Sequence, residues 1–451
     1  MTLAEWVGRV ERRETRVGIV GMGYVGLPLA LLFADEGFRV SGFDIDPEKV
    51  ERLERGESYI QRIGAEEIRT ARARGFGATG DFGRVREVDA VLICVPTPLH
   101  DDHTPDMSFV VKTMEAIAGH LRAGQMVVLE STSYPGTTEE IVVETIERRG
   151  VRVLRDGDEG DGVELEGVLV AFSPEREDPG NTAVPRRAIP KVVGGVGAGA
   201  TAAACALYGA IFERTVAMSS PAAAEMTKLL ENIYRCVNIA LVNEMKQICG
   251  HMGIDIWEVI EAAKTKPFGF EAFYPGPGVG GHCIPVDPFY LSWKAAQVGF
   301  RARFIELAGE VNEAMPRVVV EAIRQGIGSR EQGVGRASAL EGASVLVLGV
   351  AYKRDVDDLR ESPALVVIEM LQKAGAKVEY NDPYFPVVGR GRRYDLGMRS
   401  TPLTQLGRFD CVAIVTDHSI YDYGGIVRES RLVVDARNAT RGIESGKIVR
   451  C

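Results

Sequence analysis

The sequence has few cysteines, no long apolar run and no basic stripe, and each absence excludes a class of protein. Its seven cysteines are odd in number and form no C-x-x-C pair, which argues for reduced thiols rather than a disulfide framework. No apolar run reaches the length of about 18 residues that a membrane span requires, and no signal peptide is evident, so we expect a cytoplasmic protein without a membrane partner. The net charge of −10 is spread along the chain, which makes a nucleic-acid partner unexpected.

A glycine-rich turn near the N-terminus predicts a dinucleotide site. The apolar segment 16–20 leads into the G-x-G-x-x-G motif at 21–26 and then into the apolar segment 27–33, which indicates a strand, a tight turn and a helix. In this arrangement the first glycine makes the turn, the second admits the pyrophosphate, and the third lets helix pack on strand. The candidate cofactor-binding residues of the turn are Gly21, Gly23, Tyr24, Val25 and Gly26.

The residue that ends the next strand specifies the cofactor. Segment 38–43 ends in Asp44, at about the 20-residue spacing expected of an acid that binds the ribose hydroxyls. An acid here favours NAD over NADP, because a 2′-phosphate would meet a like charge. Lys49 either reaches the same ribose edge or is a solvated helix residue.

Three further apolar strands, 90–95, 126–130 and 168–172, end in polar residues that carry candidate roles. The carboxyl ends of parallel strands line the crevice where open α/β sheets bind ligands. Pro96 and Thr97 are candidates for cofactor contact there, and Thr97 is a candidate hydrogen-bond donor unless it serves only the turn. Thr132 is a candidate for ligand contact, and Glu175 is either a general base or an ordinary cap.

One cluster has the residue types of a metal site. His100 to His103 reads His-Asp-Asp-His, in the loop after the strand 90–95. Adjacent ligands on a loop rarely converge in the geometry that zinc requires, so we expect a solvated loop and no metal.

A long helix is predicted from Pro221 through Gly250, because the apolar periodicity continues without a breaker and proline suits a first helical turn. Such a length indicates a helix that links two lobes or supports a subunit interface. Lys228 and Asn232 are four residues apart and therefore share one face. Either they are exposed, with Lys228 paired to Glu225 or Glu231, or they face a reacting group.

The segment 276–287 displays a cysteine on a glycine-rich loop. Cys283 is followed four residues later by Asp287. Glycines let the backbone bend sharply and let a substrate approach, and a thiol can hold a substrate carbonyl covalently. Taken alone, the loop favours a Gly/Pro turn before a strand with a buried, inert cysteine; the dinucleotide motif shifts the preference to the nucleophile.

The last third of the chain repeats an α/β pattern, with apolar strands at 344–353, 377–382, 411–415 and 432–435. The first of these strands lacks the three-glycine motif, so we expect a ligand other than a second dinucleotide. The loop 353–362 brings cations to a strand end, as phosphates require, unless it is a solvated charged loop. We predict an NAD domain at 1–214, a central helical domain at 215–330 and a second Rossmann-like domain for another phosphate-bearing ligand at 331–451.

Together these motifs resemble the UDP-glucose/GDP-mannose dehydrogenase family. The marks that carry the resemblance are Gly280 to Asp287 with Cys283, the Lys228/Asn232 helix, and Lys353 followed by Arg360-Glu361-Ser362-Pro363. The resemblance implies two Rossmann-like doubly wound parallel sheets joined by a long central helix that also forms a homodimer. It further implies NAD as cofactor and a UDP-sugar as substrate, whose C6 alcohol loses two hydrides through a thiohemiacetal and a thioester on Cys283.

The resemblance also implies residue roles. The catalytic set is Cys283, Lys228, Asn232, Asp287, Glu175 and Thr132, with Thr132 also beside the cofactor. Arg360 would contact the nicotinamide-side phosphates or the substrate. The substrate-binding set is Glu175, Lys228, Asn232, Tyr274, Gly276, Gly280 and Lys353.

The loop departs from the UDP-glucose type, which commonly has a lysine where Val286 stands and a residue other than His282 before the cysteine. It is more similar to the branch that oxidises UDP-N-acetylhexosamines, especially UDP-N-acetylglucosamine. The alternatives are a UDP-glucose or TDP-glucose 6-dehydrogenase and a non-catalytic nucleotide-sugar sensor. A two-electron hydroxyacid-type dehydrogenase would leave Cys283 and the last domain unexplained.

Overall fold

The computed structural model describes residues 1–60, 62–158, 162–176, 184–281, 284–330, 339–391 and 394–451. The chain forms two compact units, Met1–Glu231 with Phe289–Phe300, and Asn232–Pro288 with Arg301–Cys451. The boundary at residue 231 falls inside the long helix described below. The three-domain division at residues 214 and 330 stays a prediction.

The first unit is built on an eight-stranded sheet. Its strands are β1 Arg16–Val20, β2 Arg39–Phe43, β3 Phe76–Thr79, β4 Ala90–Ile93, β5 Met126–Leu129, β6 Leu169–Phe172, β7 Lys191–Gly195 and β8 Thr215–Met218. The strand order is β3-β2-β1-β4-β5-β6-β7-β8. Strands β4, β5 and β6 are buried along their whole length, which explains why they read as continuous apolar runs rather than alternating patterns.

The direction of β7 differs from the prediction of a wholly parallel sheet. β7 pairs antiparallel with β6, while β8 runs parallel to β7. An apolar run specifies burial but carries no information on strand direction, so the sequence pattern did not show this reversal. As a result, the start of β7 lies beside the carboxyl end of β6.

Helices cover both faces of this sheet, and a separate apolar core fills each face. The helices that begin in this unit are α1 Leu3–Glu11, α2 Gly26–Asp35, α3 Pro47–Glu54, α4 Ala65–Ala73, α5 Ser108–Ile117, α6 Glu144–Arg148, α7 Ala198–Gly209 and α8 Pro221–Met252. A π-helical segment, Thr138–Val143, precedes α6, and short 3₁₀ turns lie at Phe82–Glu87, Ala118–His120 and Arg186–Ala188. The predicted long helix is confirmed as α8, which has 32 residues.

The second unit contains a five-stranded parallel sheet in the order β10-β9-β13-β14-β15 and a small antiparallel hairpin. The strands are β9 Ser344–Leu348, β10 Lys377–Asn381, β11 Val387–Arg390, β12 Asp395–Arg399, β13 Cys411–Ile414, β14 Val433–Asp435 and β15 Ile448–Arg450. The helices are α9 Ile256–Lys264, α10 Asp287–Gln297, α11 Arg303–Gly328, α12 Pro363–Lys373 and α13 Tyr423–Glu429, with a 3₁₀ turn at Leu406–Arg408. Most of α10 belongs to the first unit.

The predicted fold class, two Rossmann-like doubly wound sheets, is confirmed. In each sheet the first strand lies between the second strand and a later one, which is the strand order of a doubly wound fold. Among the helices of the described ranges, none is both long enough and apolar enough to cross a bilayer.

Candidate active site

The glycine turn of the first unit has the shape that a dinucleotide requires. Gly21 has φ +93°, a conformation that other residues rarely adopt, and a Cβ at Gly26 would lie 1.9 Å from the Gly21 carbonyl oxygen. A Cβ at Gly23, by contrast, would meet nothing within 4 Å. The first and third glycines are therefore needed by the protein itself, and the second borders open space.

Asp44 stands beside this turn. Its Oδ2 accepts the Met22 amide at 2.9 Å, and its Oδ1 accepts the Asp46 amide at 2.9 Å. Oδ1 retains capacity for a further hydrogen bond, so a ribose hydroxyl can still be bound. Lys49 Nζ lies 3.4 Å from Asp44 Oδ2, which places this lysine at the predicted ribose edge and pairs it with the acid.

Helix α2 begins directly after the turn without a side-chain cap, since Val25 occupies the capping position. Uncapped N–H groups at a helix N-terminus attract phosphate. Tyr24 is exposed at the rim, where the Arg62 guanidinium donates to its carbonyl at 3.0 Å. The open second glycine, the acid and the uncapped helix together fit a dinucleotide.

The strand-end threonines contact each other. Thr97 Oγ1 donates to the Thr132 carbonyl at 2.7 Å, and Tyr290 Oη donates to the Thr97 carbonyl at 2.6 Å. The predicted hydrogen bond from Thr97 to the cofactor is therefore corrected, because its single proton is already committed; only its acceptor capacity remains. Pro96 is exposed and Thr132 is half-buried, so both stay candidates for ligand contact.

Glu175 follows β6 and is held at both oxygens. Its Oε1 accepts the Arg176 amide at 2.7 Å, and its Oε2 lies 3.7 Å from Lys191 Nζ. The side chain is 18% exposed, so it is mostly buried but still has access to solvent. A partly exposed carboxylate beside a cation is suited to proton transfer.

The acids that flank Lys228 on α8 bind other partners. Glu225 accepts the amide of Thr138 at 2.9 Å and its hydroxyl at 2.7 Å, and Glu231 pairs with Arg176. Lys228 itself is only 4% exposed. The interpretation of Lys228 as an exposed lysine paired with Glu225 or Glu231 is therefore wrong.

In the second unit, Asn232 and Asp287 form a buried pair. Asn232 Nδ2 donates to Asp287 Oδ2 at 2.5 Å, and Asn232 Oδ1 accepts Arg235 Nη2 at 2.5 Å. Both Asn232 and Asp287 are almost completely buried. The two contacts fix which end of the Asn232 amide faces Asp287, and they leave one of its two N–H donors available for an oxyanion.

Cys283 and His282 lie outside the described residues, but the loop that leads to them is described. The Gly281 amide donates to the Arg360 carbonyl at 2.9 Å, and a Cβ at Gly280 would lie 2.7 Å from Tyr352 Cβ. A Cβ at Gly276 would lie 2.6 Å from Arg437 Nη1. Gly280 is thus required for close packing against protein, whereas the Arg437 side chain could move away from a Cβ at Gly276; substrate contact by either glycine stays a prediction.

The cations of the loop after β9 are compensated by carboxylates. Arg360 binds Asp358 in a two-pronged contact, Nε to Oδ1 at 3.0 Å and Nη2 to Oδ2 at 2.7 Å, and Arg354 pairs with Asp417. These two arginines are thus paired within the protein, and phosphate binding at this loop stays a prediction. Lys353 is half-buried in this loop, and its contact with substrate stays a prediction.

Tyr274 belongs to a surface cluster. Its ring stacks on Trp257 at 5.9 Å between centroids, and its hydroxyl donates to Glu261 Oε1 at 2.8 Å. The side chain is 40% exposed. A role in lining a sugar pocket stays a prediction.

The second unit also contains a counterpart of Asp44. Asp382, at the end of β10, accepts the amides of Val350 and Ala351 at 2.7 and 3.1 Å, and His418 Nε2 lies 3.0 Å from the same oxygen. His418 Nδ1 accepts the Asp355 amide, which assigns the ring proton to Nε2. Burial raises the pKa of Asp382, but these donors bring it below its ordinary value.

Sequence comparison decides the family. Three domain models match in order: the NAD binding domain of the UDP-glucose/GDP-mannose dehydrogenase family at residues 15–212, its central domain at 222–314, and its UDP binding domain at 346–442. The chain belongs to the UDP-glucose/GDP-mannose dehydrogenase family. It is therefore an NAD-dependent nucleotide-sugar dehydrogenase, and the predicted cofactor is confirmed.

Relatives of this dehydrogenase cover between 79% and 96% of it. The UDP-N-acetyl-D-mannosamine dehydrogenase of Escherichia coli strain K12 is 37% identical over 359 residues, 79% of this chain and 82% of its own. The structure of UDP-D-ManNAc dehydrogenase from Pyrococcus horikoshii matches with TM-score 0.83 and 29% identity, over 96% of this chain and 97% of that one. A UDP-glucose dehydrogenase from Pyrobaculum islandicum matches with TM-score 0.82 and 28% identity, over 96% of each chain.

Two residues that hold the loop, Asn243 and Asn312, were not identified from the sequence. Asn243 Oδ1 accepts the Gly276 amide at 2.9 Å, while its Nδ2 donates to Asn312 Oδ1 at 2.9 Å. The loop that leads to Cys283 is thereby fastened to α8 and α11. A signal was present, because Asn243 is three helical turns after Asn232 and shares its face of α8.

Proposed function

We propose that this dehydrogenase oxidises the C6 alcohol of a UDP-N-acetylhexosamine to a carboxylate in two NAD-dependent steps, with Cys283 as the covalent nucleophile. The observation that carries the mechanism is the buried Asn232–Asp287 pair, since Asp287 begins α10 four residues after Cys283. The relatives named as UDP-N-acetyl-D-mannosamine dehydrogenases support the substrate class.

NAD, when bound at the glycine turn, accepts a hydride from the sugar carbon in each of the two oxidations. After the first, the Cys283 sulfur adds to the aldehyde carbon and the carbonyl oxygen takes a proton, which gives a thiohemiacetal. Loss of the second hydride and a proton leaves a thioester, and water then breaks the carbon–sulfur bond. One sugar, two NAD and one water give one carboxylate, two NADH and three protons.

The remaining candidate residues have distinct roles in this scheme. Lys228 and the free N–H of Asn232 stabilise the oxyanion, because an ammonium and an amide donor are suited to developing negative charge. Asp287 and Glu175 move protons through water, and Thr132 positions that water. The thiol makes the two oxidations possible on one site, because the aldehyde stays covalently bound between them.

The sugar is the finer part of the proposal. The relatives favour UDP-N-acetylmannosamine, which differs from UDP-N-acetylglucosamine only in the configuration at C2, and the loop around Val286 supports the same class. UDP-glucose is the second candidate, because the UDP-glucose dehydrogenase from Pyrobaculum islandicum superimposes almost as well as the mannosamine enzyme.

We expect two NADH per sugar with a UDP-N-acetylhexosamine, and most rapidly with the mannosamine epimer. The measurement is the NADH absorbance produced when the protein and excess NAD meet limiting amounts of UDP-N-acetylmannosamine, UDP-N-acetylglucosamine, UDP-N-acetylgalactosamine or UDP-glucose in separate reactions.

A yield of two NADH with UDP-glucose alone would overturn the proposed substrate and keep the mechanism. A yield of one NADH would contradict the covalent capture of the aldehyde. No NADH with any sugar, combined with measurable UDP-sugar binding, would make the sensor the leading interpretation.

We also propose that α8 forms a homodimer interface. Large apolar side chains are exposed along a single stripe of this helix; they are Leu230, Tyr234, Leu241, Met245, Ile248 and Met252, each between 37% and 66% exposed. Their spacing keeps them within about one quarter of the helix circumference over six turns. Exposed apolar surface of this extent marks a contact site, and a second copy of the chain presents the matching stripe.

Replacing Leu241 and Ile248 together by glutamate is expected to convert the dimer to monomer at micromolar concentration, because four charges would be buried in one symmetric interface. Sedimentation velocity measures the outcome. Gly250→Glu is the control for added charge, since it places one glutamate on the opposite face of α8, where a Cβ would meet nothing within 4 Å. A wild-type protein that sediments as a monomer would refute the interface.

A further inference from the structure

A buried charged cluster in the first unit is not used by the chemistry above. Lys191, the first residue of β7, and Glu130, directly after β5, form an ion pair of 2.7 Å between Nζ and Oε2. Their side chains are 3% and 0% exposed. Tyr208 of α7, which is completely buried, donates its hydroxyl to the other oxygen of Glu130.

A buried charged cluster of this kind contributes little to the stability of the fold. Burial raises the pKa of Glu130, which shows that the ionised carboxylate is costly in this position. Burial alone would lower the pKa of Lys191, but Glu130 and Glu175 together raise it above its ordinary value. Apolar residues of similar volume commonly stabilise a core as well as a buried ion pair does, so the cluster calls for a functional reason.

The reason lies on the exposed side of the cluster. Lys191 Nζ is 3.7 Å from Glu175 Oε2, and Glu175 is the one carboxylate of the cluster with solvent access. Lys191 itself is immobilised, because Nζ also lies 5.1 Å and 5.5 Å from the ring centroids of Tyr208 and Phe212. A fixed cation is thus placed against one oxygen of Glu175, while the Arg176 amide holds the other at 2.7 Å.

We propose that Lys191 is a positioning residue for Glu175, held in place by Glu130 and by the rings of Tyr208 and Phe212, and that it fixes the Glu175 carboxylate for proton transfer in the reaction. This inference rests on the proposed function of Glu175. Lys191 acts through Glu175 and contacts neither sugar nor cofactor in this role. The reversal of β7 is what makes the arrangement possible, because it brings a strand start to the edge where β5 and β6 end.

The test removes the cation without leaving a buried charge unpaired. The Glu130→Gln/Lys191→Met double variant makes the pair neutral, and Glu130→Gln alone is its reference. Tyr208→Phe is the matched control, since it removes a buried partner of Glu130 and leaves the Lys191–Glu175 contact. If the methionine variant does not fold by circular dichroism, Lys191→Gln replaces it.

Relative to Glu130→Gln, we expect the double variant to lose about thirtyfold or more in kcat, within the range of a misplaced general base, while KM for NAD stays within about twofold. Tyr208→Phe should stay within about threefold of wild type in kcat. Adding Lys191→Met to a Glu130→Gln/Glu175→Gln variant should cause no further loss, because Lys191 acts only through that carboxylate.

The inference would be overturned if Lys191→Met lowered kcat by the same factor in the presence of Glu175 and in the Glu175→Gln background. It would also be overturned if the Glu130→Gln/Lys191→Met double variant kept the kcat of Glu130→Gln. If the wild type reduces no NAD with any UDP-sugar, the proposed function fails. The contact is then tested by a double-mutant cycle of unfolding between Lys191 and Glu175 in the Glu130→Gln background. A measurable coupling supports positioning, and no coupling refutes it.

Discussion

Cys283→Ala is expected to abolish carboxylate formation while NAD binding survives. The loss should be on the order of a thousandfold or more, as for other enzymes that lose their nucleophile. Without the sulfur, the aldehyde has no covalent anchor for the second hydride transfer. The measurement is NADH per UDP-sugar, together with the NAD dissociation constant by calorimetry.

Cys205→Ala is the matched control for this loss. Cys205 is a half-buried thiol on α7 of the first unit, and burial raises its pKa, so it is a poor nucleophile. This variant should retain full turnover. If the Cys283→Ala enzyme also turned over normally, the covalent mechanism would be refuted.

Gly23→Ala is expected to weaken NAD binding by about a hundredfold with little change in thermal stability. A Cβ at Gly23 meets nothing within 4 Å, so the fold accommodates it, but it projects into the space that the pyrophosphate is expected to fill. The measurements are the NAD dissociation constant and the Tm of the protein without cofactor.

Two further variants separate cofactor contact from folding. Gly26→Ala should lower the Tm strongly, since its Cβ would lie 1.9 Å from the Gly21 carbonyl oxygen. Gly209→Ala, an exposed position at the end of α7, should change neither quantity. Tight NAD binding by Gly23→Ala would contradict the placement of the pyrophosphate at this turn.

Most of the fold could be predicted because its strands are fully buried. Segments 16–20, 126–130 and 411–415 read as apolar runs, and β1, β5 and β13 lie there. The strands that were not predicted are β3 and β8 at the edges of the first sheet, β7 beside β8, the separate β11–β12 hairpin, and β15. β7 is buried, but β3, β8 and β15 have only three or four residues each, and the hairpin contains mostly exposed residues. In such strands backbone pairing, rather than an apolar pattern, specifies the structure.

The sequence identified candidate residues of the site, but it did not predict which of them contact each other. Asn232 and Asp287 both stood out in the sequence, yet their hydrogen bond joins residues 55 positions apart and depends on how α8 and α10 approach. Glu225 was considered only as a surface partner of Lys228, and Lys191 was given no role. Their burial against Thr138 and Glu130 follows from tertiary packing, which single-sequence patterns do not encode.

Asp382 has a consequence for the timing of the reaction. Three donors crowd one of its oxygens and the Tyr384 amide binds the other, so this carboxylate is engaged by the protein, and the domain that contains it matches a UDP binding domain rather than a second NAD domain. The two oxidations proposed here must then share one coenzyme site, and spent coenzyme has to be exchanged between them. The half-oxidised sugar must outlive that exchange, so the residence time of the intermediate, more than the speed of either hydride transfer, determines whether carboxylate or aldehyde leaves the enzyme.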